Sequence, residues 1–488
     1  MSTTRAYQRM RAESRNEFEP KSIIFAPAIK ANDNFTPTDW VDSFALRAGA
    51  VYHAITKKPA TSKTISEAKE LLTNIAENCR DLILAKHSAA AAAAAAEAPP
   101  EAAAAEAPRA AAAAAAAATE TATAAAAAAP EPAPTPTPAA EGEMISDELS
   151  EYADAIYLVL VFLPDLKKLI EDSKAVREAV DKFYELNGRQ EIIRDIVKYE
   201  NQLPLSTITG VFKFVGKAIE KTKNAYSLDK NPIDPLAESI DKYSKRSFSK
   251  DFYELLHPFC WYYSPFSSSS SSKLKNPDTK FKREILQKNN LLECLHYSIR
   301  PDTTTDEEVG GKVCHIPAAA KKLRRSGIRF LPREEGTMRI KFEEPYLHIP
   351  ALVCDFKLET VAKNLMAWEK LKCEGQKPVT RYFQLMNELV QDVRDVRVMR
   401  KAGVLRGAAA KGRGLEELAL VKRVDGNAYY PSVYLAVDGE VDKARKFYDK
   451  RMKSFLVRNH PTLVWVSSVA AASVIATAIY ASRRKGVN

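Results

Sequence analysis

Residues 89–140 are almost wholly alanine, proline, glutamate and threonine, and this tract constrains the chain more than any other feature. Alanine favours helix, but a stretch without bulky side chains has no face to bury. Pro99, Pro100, Pro108, Pro130, Pro132, Pro134, Pro136 and Pro138 interrupt any helix that begins. The composition predicts a low-complexity, disordered linker over 89–143, with transient helix and an extended proline-rich end. That end has the composition of a partner-binding segment, although a passive spacer is the reading adopted. Any folded core must come from the flanks.

The N-terminal flank is short. Residues 1–40 show no sustained period, and 1–63 are expected to form a mobile arm, with a short helix between Asp39 and Ile55. Glu13, Glu17 and Glu19 argue against an organelle transit peptide, and no apolar run marks a secretory signal. Thr64 and Glu67 then have capping-box spacing. Ala68, Leu71, Leu72, Ile75, Ala76, Cys79, Leu82 and Ile83 repeat at three and four, which predicts an amphipathic helix over 64–88. Its apolar stripe must pack on the main domain or on a partner.

The C-terminal flank carries most of the apolar pattern. Ile156–Leu163 is an apolar run closed by Pro164, too short to span a bilayer and read as core. Leu166, Leu169, Ile170, Val176, Val180 and Phe183 keep helical spacing, and Asn187-Gly188 makes a C-cap. Met338, Ile340 and Phe342 alternate, a turn follows at Glu343-Glu344-Pro345, and Tyr346–Ile349 runs extended, which predicts a hairpin. Val361, Leu365, Trp368 and Leu371, then Tyr382, Leu385, Met386, Leu389 and Val393, return to helical spacing. The fold class is therefore mainly α (α+β), a helical core domain over 144–462 with a small β-hairpin element.

Leu463–Ser482 contains no charged residue in its twenty positions, long enough for the ~30 Å hydrocarbon layer. Trp465, Ile475 and Tyr480 fit an interface–core–interface pattern. Lys443, Arg445, Lys446, Lys450, Arg451, Lys453 and Arg458 precede it, and a basic tail, 483–488, follows. The expectation is one C-terminal transmembrane helix, tail-anchored and single-pass, with the bulk of the chain cytoplasmic. The same basic cluster would attract an anionic leaflet and accounts for much of the +10 net charge.

No residue pattern points to a reaction. Gly210 and Gly216-Lys217 are misspaced for a phosphate loop, and Ala218 stands where Ser or Thr is needed. There is no GxSxG elbow. His257 and Cys260, Cys294 and His296, and Cys314 and His315 share no common spacing, so no metal is expected, and no cofactor. The six cysteines contain no CxxC and read as reduced thiols. Lys321, Lys322, Arg324, Arg325 and Arg329, with Phe330 beyond, read as a solvated helix face, and no nucleic-acid partner is expected. With no catalytic motif, the chain is not expected to be an enzyme.

Three ordered stretches resemble a plant family known as domain of unknown function 247. The first is Asp195–Thr207, whose Glu200-Asn201-Gln202-Leu203-Pro204 is similar to the family's E-N-Q-[IL]-P signature. The second is Ile316–Leu352, IPAAAKKLRRSGIRFLP followed by IKFEEPYLHIPAL. The third runs from Asp355 through Asn364–Glu369 and Val379–Tyr382 to Val396–Leu405 and on to the terminal run. The family's Tyr-Arg-Val-Pro and Gly-Pro-x-His-His-Gly openings do not occur, so the chain resembles a divergent member. The resemblance implies a protein of no established activity and favours the plasma membrane; the expected function is that of a membrane-anchored plant protein serving as a protein–protein interaction or recognition module. Alternatives are a pollen–stigma self-incompatibility factor, as implicated for some grass members, or an enzyme of unrecognised class at a membrane.

The Glu200–Pro204 motif itself reads as a corner. Pro204 forces the chain out of one helix near Asn201, and the next begins at Leu205. Leu203 should face the junction. The Asn201 and Gln202 amides can meet carbonyls left open at the helix end, and Glu200 can act on amides at the next helix start. The rival reading is a ligand site.

Overall fold

Helical periodicity dominates the sequence, and in the computed structural model the chain is mainly helical. The structure describes residues 8, 11–12, 15–25, 37–62, 64–97, 147–173, 177–229, 235–245, 251–267, 277–300, 313–373, 376–407, 414–425 and 435–485. Most of the expected linker, 98–143, lies outside them. The described helices begin with α1 (Arg15–Phe18), α2 (Pro37–Thr56), α3 (Ile65–Glu97), α4 (Asp147–Tyr157), α5 (Leu163–Asp172) and α6 (Arg177–Leu186). They continue with α7 (Gln190–Asp195), α8 (Leu205–Asp229), α9 (Pro235–Ser244), α10 (Tyr253–Tyr263), α11 (Thr279–Ile285) and α12 (Leu291–Ile299). The last are α13 (Ala320–Arg325), α14 (Leu358–Lys372), α15 (Pro378–Leu389), α16 (Val393–Lys401), α17 (Gly414–Asp425) and α18 (Ala436–Lys485).

The chain divides into two units. One comprises Asn32–Pro164 and Ser206–Phe252. The other comprises Met1–Ala31, Asp165–Leu205 and Tyr253–Asn488.

In the first unit the stripe of α3 is the organising feature. Leu71, Leu72, Ile75, Ala76 and Cys79 are fully buried, and the helix runs beyond the expected 64–88 to Glu97. Alanine's high helix propensity favours that extension. Gly210 on α8 lets that helix approach closely: a Cβ there would sit 3.0 Å from Ile83 Cδ1. Asn78 donates to Thr222 across the same contact at 3.0 Å. The apolar run at the end of α4 is buried except for the half-buried Val161, with Leu158–Phe162 forming a π turn. Arg47 on α2 and Asp154 on α4 form a wholly buried ion pair at 2.8 Å.

In the second unit, Phe259, Tyr262, Leu295, Leu365, Tyr382 and Met386 are fully buried on α10, α12, α14 and α15. The expected hairpin is present as β2 (Lys341–Glu343) antiparallel to β3 (Tyr346–Pro350), with Glu343 opposite Tyr346. A strand that the sequence reading missed, β1 (Arg329–Arg333), adds to β3 in parallel, giving the order β1-β3-β2. Its R-F-L-P-R sequence is short and polar-flanked and carries a proline, so it gives no period-2 signal. β4 (Leu352–Cys354) pairs in parallel with β5 (Leu405–Gly407).

Two expectations are overturned. Residues 1–63 are not simply a mobile arm. Phe18, Ile23 and Phe25 are buried, while the helix expected between Asp39 and Ile55 is present as α2, with Ala48, Val51 and Ile55 inside. The second correction concerns the membrane. The run 463–482 belongs to α18, but among the described residues no helix is long and apolar enough to cross a bilayer. Absence of charge is not the same as apolarity. Ser467, Ser468, Ala470–Ala472, Ser473 and Thr477 dilute the run, and hydroxyls are costly in hydrocarbon unless bonded. Ser473 and Thr477 turn theirs back onto the carbonyls of Val469 and Ser473, at 2.8 and 2.6 Å. Ile475 is exposed; the side chains of Leu463, Trp465, Tyr480, Ser482 and Arg458 lie outside the described residues.

Candidate functional site

α7 ends at Asp195, and the chain leaves it through an extended Lys198 and a 3₁₀ turn, Tyr199–Asn201. Gln202, which follows the turn, is extended, with φ −98° and ψ 127°; the residue that Pro204 itself keeps out of α geometry is Leu203. Leu203 is buried, Pro204 is exposed, and Leu205 opens α8 with its amide on the Asn289 carbonyl at 2.6 Å. The motif is thus a corner in space, and the second unit's own N-terminal segment lies against it.

Asp195, Lys198 and Asn201 are wholly buried. One Asp195 oxygen accepts three successive amides, from Lys21 at 3.0 Å, Ser22 at 2.6 Å and Ile23 at 3.0 Å. Its other oxygen accepts from Lys198 Nζ at 2.8 Å. Lys198 Nζ also donates to the Glu19 carbonyl at 2.5 Å. Asn201 treats the same segment as a neighbouring strand would. Its Oδ1 accepts the Phe25 amide at 2.7 Å, and its Nδ2 donates to the Ile23 carbonyl at 2.8 Å. Nδ2 also donates to the Asp195 carbonyl at the end of α7, at 3.0 Å. Carboxylate acceptance of several amides is a strong arrangement in a dry site.

Gln202 completes the corner. Its amide donates to the Ile196 and Lys198 carbonyls at 2.8 and 2.9 Å, and its oxygen accepts the Leu292 amide at the start of α12 at 3.0 Å. Glu200 does not serve the start of α8; it pairs with Arg11 at 2.5 Å. Burial, with the Glu200 carboxylate beside it, pushes the Tyr199 phenol up. Asn364 on α14 reaches the same place. It accepts the Tyr199 amide at 2.7 Å and donates to the Glu17 carbonyl at 2.7 Å. The Thr360 hydroxyl bonds the Glu17 carboxylate.

The remaining quoted stretches interlock through buried polar side chains. Glu369 accepts the Val379 and Thr380 amides at 2.8 and 2.9 Å, which caps α15, and meets His296 Nε2 at 2.9 Å. Arg381 pairs with Asp438 at 2.9 Å and donates to the Cys314 carbonyl at 2.6 Å. The Tyr382 hydroxyl donates to the Pro350 carbonyl at 3.0 Å.

These contacts join stretches that sequence similarity also groups. Residues 145–479 match the family described as "DUF247: Plant protein of unknown function". The chain belongs to the DUF247 family of plant proteins. A UPF0481 protein of Arabidopsis thaliana is 29% identical over 145 residues, 28% of this chain and 26% of that protein. The matched stretch therefore spans only about a quarter of that relative's length. No solved structure matches the chain.

The DUF247 match begins beyond residues 15–25, yet that segment is fastened by the E-N-Q-L-P corner. Sequence reading missed Asp195, Asn364 and Glu369 as polar anchors. Asn364 and Glu369 stand in the helical pattern of Val361, Leu365 and Trp368, and a polar residue inside an apolar stripe was the available signal. The basic cluster expected to flank a membrane span is partly paired within α18. Lys443 pairs with Glu440 at 2.6 Å, Lys446 with Asp442 at 2.7 Å, and Arg451 lies over the Phe447 ring at 5.3 Å. Arg445 lies 3.6 Å from Cys314 Sγ, while Lys450 and Lys453 are exposed.

Proposed function

We propose that this DUF247 chain is a protein–protein recognition module whose corner holds an extended peptide segment by its backbone. The corner holds the chain's own segment, residues 19–25, and a partner's extended segment takes the same place. The single observation that carries the reading is the way Asp195 and Asn201 meet the segment. Every one of their bonds to residues 21–25 goes to a main-chain amide or carbonyl. Backbone recognition of this kind supplies affinity to any extended chain, and side-chain pockets supply selectivity. Ile23, Ile24 and Phe25 are buried, so the preferred occupant carries adjacent β-branched and aromatic residues.

The test uses a chain with a protease site introduced within residues 27–31. After cleavage, a fluorescent peptide of residues 11–25 should exchange into the corner with saturable anisotropy. The same peptide with prolines at positions 22 and 23 lacks two of the amides that Asp195 accepts and should fail to exchange. Equal binding of both peptides, or of neither, would remove the reading.

A further inference from the structure

The basic residues of α13 stand apart from everything used so far. Lys321, Arg324 and Arg325 recur at three and four and share one helix face. Across from them, Arg394 and Arg397 share a face of α16. These five cations and Val398 line an open cleft of about 370 Å³. Among the described residues, Lys321, Arg324, Arg325 and Arg397 have no carboxylate partner. Asp392 is engaged with Arg394 at 2.6 Å. Asp395, buried behind the cleft, spends its oxygens on the amides of Lys321, Gln391 and Asp392 at 2.8, 3.1 and 3.0 Å. That bond fixes the start of α13 against α16 and so fixes the two basic faces toward each other.

Five like charges around one cleft repel, and facing like charges destabilise helices and their contacts. Two acids offset only part of the charge, and an anion of about three charges would balance the rest. We propose that the cleft binds a compact anion carrying two or more phosphate groups. Each phosphate monoester brings roughly −1.5 to −2 charge and three acceptor oxygens. Guanidinium forks match such oxygens in pairs, so four arginines suit clustered phosphates better than a lone carboxylate. Among the described residues the lining has no aromatic side chain on which a nucleobase could stack, so recognition rests on the phosphates alone. The volume suits a small molecule or a headgroup.

The test titrates inorganic pyrophosphate, then inositol hexakisphosphate, into the full chain, read by calorimetry and thermal unfolding. Both should bind and raise the melting temperature, more weakly at high salt. The double variant Arg324→Gln, Arg397→Gln should lose about tenfold or more in affinity. Its ligand-free melting temperature should equal or exceed that of the parent, because repulsion is relieved. Lys321→Gln alone, a milder change, should give a smaller loss in the same direction. Vesicles bearing a phosphoinositide bisphosphate form the second arm: capture reversed by inositol hexakisphosphate puts the phosphates on a lipid headgroup, and no capture puts them on a soluble ligand. Absence of binding at millimolar polyphosphate, or equal binding by parent and double variant, would overturn the proposal.

Discussion

Asp195 and Arg397 belong to the same unit and are treated in opposite ways. Around Asp195 the chain supplies every partner: three amides, a lysine, and an asparagine that fastens the same segment. Around Arg397 it supplies more cations and almost no counter-charge. The first arrangement stabilises the fold from within, because a buried ion pair holds only when its remaining lone pairs and protons are met. The second leaves repulsion uncompensated. The lesson of the pair is that charge density along the sequence does not mark a structural site; what marks it is whether the surroundings complete the charge.

The comparison can be broken first at Asp195. Asp195→Ala leaves Lys198 buried without its carboxylate and frees three amides. The expected loss is about 3–5 kcal/mol in urea unfolding. A loss under about 1 kcal/mol, the size of an exposed pair, would mean that the corner is wet and that its burial does not matter.

Asn201→Ala is the next largest. It removes one acceptor and two donors from buried main-chain groups, with an expected cost of about 1–3 kcal/mol. A variant of parental stability that no longer holds residues 21–25 would separate the corner's binding role from its structural one.

A third residue sharpens the contrast, because it is neither completed nor exposed. Glu417 on α17 is buried, its oxygens have no hydrogen-bond partner among the described residues, and Arg400 lies 3.4 Å away. Burial pushes its carboxyl above the ordinary glutamate value, against the pull of Arg400. A raised folded-state value means that the protonated form is favoured in the native chain. Its contribution is therefore full below the unfolded-state value and lost as pH rises through the folded-state value. Glu417→Gln should raise the unfolding free energy at neutral pH by less than one hydrogen bond is worth, about 1 kcal/mol. The gain should vanish below about pH 4. A gain independent of pH would point to packing and not to charge.

Much of the helical core was legible because burial imposes a period on α3, α14 and α15, and the hairpin was legible from the alternation of Met338, Ile340 and Phe342. The docked segment was not. Residues 19–25 are held through their own main-chain groups by the side chains of Asp195, Lys198 and Asn201, and backbone hydrogen bonding of a segment leaves no trace in its side-chain order. The cleft was half legible: Lys321, Arg324 and Arg325 form a visible cluster, but Arg394 and Arg397 are some seventy positions away and only the fold brings them across from it. The terminal run misled because twenty residues without charge satisfy a length criterion while their serines and alanines weaken the apolar one.

The central claim is that Asp195 and Asn201 hold residues 21–25 by their backbone, and amide hydrogen exchange on the full chain tests it most directly. The amides of Lys21, Ser22, Ile23 and Phe25 should be protected well above the rate of an open chain. In Asn201→Ala, protection at Phe25 should fall most, while the amides of α14 and α15 keep theirs. Open-chain exchange at all four positions in the parent, or a fall spread evenly over the unit in the variant, would contradict the account.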